Sequence, residues 1–109
     1  MRSWVLCVAI TLCIAACGGP PPPPIAVAEA SYGLNCQANQ TGNVTDIVKH
    51  ECDGEKSCSF PVSHAAEGTA DACPGLPKDF AVTYRCADKE RVVKIQDSAK
   101  KVVILSCGH

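Results

Sequence analysis

The sequence predicts an α+β domain, mostly β, in which antiparallel strands and one packed helix are stapled by disulfides. Three observations lead there. Phe80, Val82 and Tyr84 alternate with Asp79, Ala81, Thr83 and Arg85, the period-2 pattern of a half-buried strand with its aromatics on one face. Val44, Ile47, Val48 and Cys52 instead fall at helical spacing. Six of the nine cysteines lie between Cys36 and Cys107.

Taken in order, Ile25-Ala-Val-Ala-Glu-Ala alternates large and small residues and reads as a strand ending at Ser31-Tyr32-Gly33, where glycine permits a turn. Asn39 to Asn43 is a polar loop. The helix starts from Asn43 or Thr45 as N-cap and stops at Gly54. Its Asp46 near the N-terminal end and Lys49 and His50 near the C-terminal end suit the helix dipole. After the Phe80–Arg85 strand, which places Tyr84 in the core, two runs rich in valine and isoleucine follow, Arg91 to Ile95 and Lys101 to Ser106. The link Gln96-Asp97-Ser98-Ala99-Lys100 makes them a C-terminal hairpin.

The N-terminus has a different character. Arg2, an apolar run from Trp4 to Ala16 and then small residues read as an export signal. The run is shorter than the roughly 20 apolar residues that span a bilayer as helix. Ile14-Ala15-Ala16-Cys17 resembles the bacterial lipobox, which implies lipidation of Cys17, and Gly18 after it resembles lipoproteins sent to the outer membrane. Acyl chains contribute ~0.8 kcal/mol per buried CH₂, so several on one cysteine hold a protein firmly at a membrane. Gly18-Gly19 and Pro20 to Pro24 form a spacer, since proline lacks the amide donor and fixes φ. The expected organisation is therefore a signal peptide over 1–16, a lipidated linker over 17–24 and one domain over 25–109. Such a protein is an exported outer-membrane lipoprotein, periplasmic or surface-exposed.

A domain of that length buries only about 60–65% of its unfolded surface and needs staples. Six cysteines in an exported domain read as three disulfides, with 15 possible connectivities. Zinc is the competing reading, but no Cys-x-x-Cys pair occurs and His50, His64 and His109 are scattered, so no metal or cofactor is expected. Charge is nearly balanced, with net −1, and no nucleic-acid partner is expected. The basic end from Arg85 to Lys101 reads either as attraction to anionic lipid or glycan, or as lysines that keep an edge strand from pairing. Catalysis is not expected: Ser63, His64 and Asp71 have the residue types of a triad, but adjacent Ser and His cannot easily aim at each other and no nucleophile elbow surrounds them.

Three motifs occur in order: Cys52-x5-Cys58 followed by Phe60-Pro-Val-Ser, then Asp71-Ala-Cys73-Pro-Gly75-Leu-Pro-Lys78, then Tyr84-Arg-Cys86, with Ala30-Ser31-Tyr32-Gly33 upstream. Together they resemble the galactose/rhamnose-binding (SUEL-type) lectin domain first described in sea-urchin eggs. The resemblance spans roughly Ile25 to Cys86. It implies antiparallel strands in two small sheets with a helix alongside. It also implies the pairs Cys52–Cys58 and Cys36–Cys73 and leaves Cys86–Cys107, a departure, because the family's partner for the Tyr-x-Cys cysteine precedes a first strand absent here.

The resemblance further implies a sugar site at Tyr32, His64, Asp71, Gly75 and Lys78. A carboxylate there accepts vicinal hydroxyls, a lysine donates, and a tyrosine offers ring face and phenol. Departures bear on that site: His64 stands for an asparagine, Leu34 for an arginine, and Ala-Ala-Glu-Gly-Thr-Ala lengthens the loop before Asp71. Two functions follow. One is a membrane-anchored module binding a galactose- or rhamnose-type glycan; the other is an envelope lipoprotein using the fold as a structural or protein-contact scaffold.

Overall fold

The structure, a computed structural model, describes residues 20–36, 40–70 and 73–108. The expected signal peptide, Cys17 and Asp71 lie outside the described residues. Five strands and two helices follow in the order β1 (Ile25–Tyr32), α1 (Thr45–Cys52), β2 (Ser57–Pro61), α2 (Val62–Glu67), β3 (Phe80–Cys86), β4 (Lys89–Ile95) and β5 (Val102–Ser106). They build two antiparallel sheets, one ordered β1-β3-β4 and one of β2 with β5. The α+β, mostly-β architecture in two sheets stands. Where the sequence predicts one helix, however, there are two, and His64 is the third residue of the second.

The expected C-terminal hairpin does not form. β4 instead turns back on β3 through Ala87 and Asp88, with Cys86 opposite Lys89 and Ala87 at φ 59°. β5 crosses to the other sheet and pairs with β2. Ser98 supplies the reason: it is fully buried, and both its N–H and its hydroxyl donate to the Lys78 carbonyl, at 3.0 and 2.6 Å. The link is thereby pinned beside β3, and the chain leaves it toward α2, where Val62 N–H donates to the Lys101 carbonyl.

β1 carries an irregularity between Val27 and Glu29. The extra residue reverses the alternation, so Ile25 and Val27 face the core before it and Ala30 and Tyr32 after it. The outer edge of β1 is covered by side chains rather than by another strand. Asn43 both donates to and accepts from the Tyr32 backbone at 2.9 Å, and the Thr45 hydroxyl accepts from Ala30 N–H at 3.0 Å. Asp53 accepts from Val27 N–H at 2.7 Å while Lys49 donates to the Val27 carbonyl at 3.1 Å. This corrects the expected helix cap. Val44 holds the N-cap position without a side-chain cap bond, because Asn43 and Thr45 satisfy the open strand edge, where an unpaired backbone would invite aggregation.

Between the sheets, Phe60 of β2 and Phe80 of β3 are fully buried and stack with ring centroids 5.7 Å apart. The Tyr84 hydroxyl reaches from β3 to both the N–H and the carbonyl of Ser106, each at 3.2 Å. The Arg91 guanidinium donates to the same carbonyl at 2.7 Å. Three disulfides tie the remaining ends: Cys36–Cys73, Cys52–Cys58 and Cys86–Cys107, with Cα separations of 5.9, 5.4 and 5.4 Å.

Candidate functional site

Two turns face each other at one end of the larger sheet. The first, Gly33 to Cys36, follows β1 and is closed by Cys36 N–H donating to the Gly33 carbonyl at 2.8 Å. Gly33 takes φ 77°, a conformation that strains any residue bearing a Cβ. The second, Cys73 to Leu76, is closed by Leu76 N–H on the Cys73 carbonyl at 3.2 Å, with Gly75 at φ 80°. A Cβ on Gly75 would meet nothing within 4 Å, so glycine is required there by backbone conformation and not by space.

A reciprocal clamp joins the first turn to the segment leading into β3. Asp79 N–H donates to Asn35 Oδ1 at 3.1 Å, Asn35 N–H donates to Asp79 Oδ1 at 3.4 Å, and Asn35 Nδ2 donates to the Pro77 carbonyl at 2.8 Å. Gly33 N–H adds a bond to the Asp79 carbonyl at 2.8 Å. Cys36–Cys73 locks the two turns together covalently. Asn35 is thus spent on geometry. Asp79, half-buried, uses one carboxylate oxygen in the clamp, while Oδ2 has no partner among the described residues.

Around this clamp lie two adjoining clefts. One, of about 390 Å³, is lined by Asn35, Leu76, Pro77, Asp79 and Gln96. The other, of about 340 Å³, runs along the β3–β4 surface past Leu34, Ala81, Lys94 and Ile95. Asp79 and Gln96 line both. Leu76 is 61% exposed and gives the first cleft an apolar lip.

The residues singled out from sequence are distributed unevenly around this place. Tyr32 ends β1 just before the first turn; it is 5% exposed, and its hydroxyl has no partner among the described residues. Gly75 shapes the second turn. Lys78 is buried, and its ammonium donates to the Leu76 carbonyl at 2.8 Å, bracing the loop between Gly75 and Asp79. His64 is held elsewhere. Its Nδ1 lies 2.8 Å from Glu51 Oε2 of α1, its ring stands edge-on to Phe60, and it lines neither cleft. Sequence reasoning missed Asn35, Asp79 and Gln96. The only local signal was position, since two of them adjoin the Tyr-Gly turn and Lys78. Among the described residues no group of three or more His, Cys, Asp or Glu could hold a metal ion.

The family model of the D-galactoside/L-rhamnose binding SUEL lectin domain matches residues 16–86, more than half of the chain. The chain belongs to the SUEL lectin domain family. This SUEL lectin domain is also similar to a D-galactoside-specific lectin of Heliocidaris crassispina, 38% identical over 48 residues that make up 44% of each protein. The chain thus spans less than half of that relative's length. No solved structure matches it. Tyr32, Gly75 and Lys78 lie inside the family match of this SUEL lectin domain, whereas β4, β5 and Gln96 follow it.

Proposed function

We propose that this SUEL lectin domain binds a galactose- or rhamnose-type sugar in the cleft where Asn35 clamps Asp79. It is a binding module with no catalytic step. What supports the reading is a single coincidence: the two segments that carry the family motifs, Tyr32-Gly33 and Gly75 to Lys78, are brought together around a cleft containing a carboxylate with an uncommitted oxygen.

In this reading Asp79 Oδ2 accepts two vicinal hydroxyls, the Gln96 amide donates and accepts at the far wall, and Leu76 covers the apolar C–H face of the ring. Gly75 lets the loop backbone approach the sugar. Lys78 braces that loop from within, and Tyr32 offers its phenol beside the first turn. Asp71 belongs to the same loop by sequence and adds a second acceptor. His64, engaged with Glu51, takes no part.

The test is titration of the mature protein in detergent with methyl β-galactoside and methyl α-rhamnoside. Losing a charge-assisted hydrogen bond costs about 1.5–3 kcal/mol, so Asp79→Asn is expected to weaken binding by roughly tenfold or more while the melting temperature holds. Arg85→Ala, on the exposed face of β3, is expected to change nothing. A blank from folded native protein would turn the reading toward a structural or protein-contact scaffold.

The proposal extends to location. Export and a lipid on Cys17 hold the domain at a bacterial outer membrane, on its periplasmic or outer face, with the proline spacer between. No helix among the described residues is long and apolar enough to cross a membrane. The intact mass of the membrane-extracted protein is expected to correspond to a chain beginning at Cys17 and carrying diacylglycerol. A mass beginning elsewhere without acyl groups would end this part of the proposal.

A further inference from the structure

The second cleft has a chemistry of its own. Each cleft is at the small end of ligand-site volumes, room for about one pyranose ring, and the two meet edge to edge at Asp79 and Gln96. Among the described residues that line the first, the only charged side chain is Asp79. The second adds Lys94 of β4, which stands directly opposite Ala81 in the β3–β4 register. Alanine there leaves the trough open beneath the lysine, and Leu34 and Ile95 form its apolar sides.

Lys94 differs from several cations near these elements, sharing with Lys89 at the far end of β4 the absence of an ion pair among the described residues, but of the two only Lys94 lines this cleft. Lys49 pairs with Asp53, Arg85 with Glu90, Arg91 with the Ser106 carbonyl and Lys78 with the Leu76 carbonyl. Lys94 is exposed and makes no ion pair among the described residues. An uncommitted ammonium over a sugar-sized trough, continuous with a cleft suited to hydroxyls, is an arrangement for an anionic group on a neighbouring residue.

We infer that the Lys94 cleft is a second subsite, and that it takes an acidic sugar glycosidically linked to the residue bound beside Asp79. The inference rests on the lectin reading of the first cleft. It is a property of this chain rather than of the matched family stretch, since Lys94, Ile95 and Gln96 all lie beyond residue 86. It also assigns the lysine a use that keeping an edge strand unpaired does not require.

The test uses galactosyl and rhamnosyl disaccharides whose second residue is either glucuronic acid or glucose, titrated into the full mature protein at low and high salt. The acidic forms are expected to bind about two- to fivefold tighter at low salt, as for a solvent-exposed ion pair, and the preference is expected to shrink as salt rises. Lys94→Ala is expected to erase the preference for the acidic forms, and Lys94→Glu to invert it. Equal binding of acidic and neutral forms by the native protein would overturn the subsite alone, as would a preference that survives in Lys94→Ala. Failure to bind any of the four disaccharides would overturn the lectin reading beneath it.

Discussion

Phe60→Ala is expected to lower the free energy of unfolding by about 3–5 kcal/mol. The ring belongs to β2, is fully buried, and stacks on Phe80 of β3 at 5.7 Å, so its loss opens a void where the two sheets meet. His64 also loses the face it packs against edge-on. Small domains have about 5–15 kcal/mol in total, and one of this size sits toward the lower end. Urea unfolding followed by circular dichroism measures the change, with Phe60→Leu as a milder companion that keeps part of the volume. A loss below about 1 kcal/mol for the alanine variant would mean that the void collapses and that the sheets do not depend on this contact.

The disulfides are expected to differ in worth according to the chain each closes. The loop-entropy relation assigns about 4 kcal/mol to Cys36–Cys73, about 3.4 to Cys86–Cys107 and about 2.4 to Cys52–Cys58, following their sequence separations of 37, 21 and 6. Paired cysteine-to-alanine variants, compared by their urea midpoints, test the ranking. The first pair has a second consequence. Because it joins the Gly33–Cys36 turn to the Cys73–Leu76 turn, its removal frees the two walls of the Asp79 cleft and is expected to weaken sugar binding even where the fold persists. Removing Cys86–Cys107, at the opposite end of β3, is expected to lower stability and leave the affinity of the folded fraction unchanged. The reverse order of stabilities, or equal effects of both pairs on binding, would contradict this account.

Much of the architecture was legible because each clear element satisfies a local rule. β3 alternates buried residues with more exposed ones along its whole length, and α1 presents Val48 and Cys52 to the core at helical spacing. β2 was overlooked although Cys58 and Phe60 alternate with Ser57 and Ser59; five residues ending in proline carry too little apolar weight to announce a strand. α2 was equally faint, a six-residue helix without a side-chain cap bond. Asn43 and Thr45 misled because a residue suited to capping a helix is suited, for the same donors and acceptors, to covering a strand edge.

The chemistry of the site divides along the same line. Sequence alone determined the composition of the body: an α+β domain rich in antiparallel strand, with six cysteines between Cys36 and Cys107 and motifs that place it among lectins. Tertiary structure decided partnership. It sent β4 and β5 to different sheets, set Asp79 against Asn35 across 44 residues of chain, drew His64 away to Glu51, and laid Lys94 beside the cleft. Periodicity and propensity are properties of neighbours in sequence, whereas a binding cleft is made by residues that meet only after distant segments have packed.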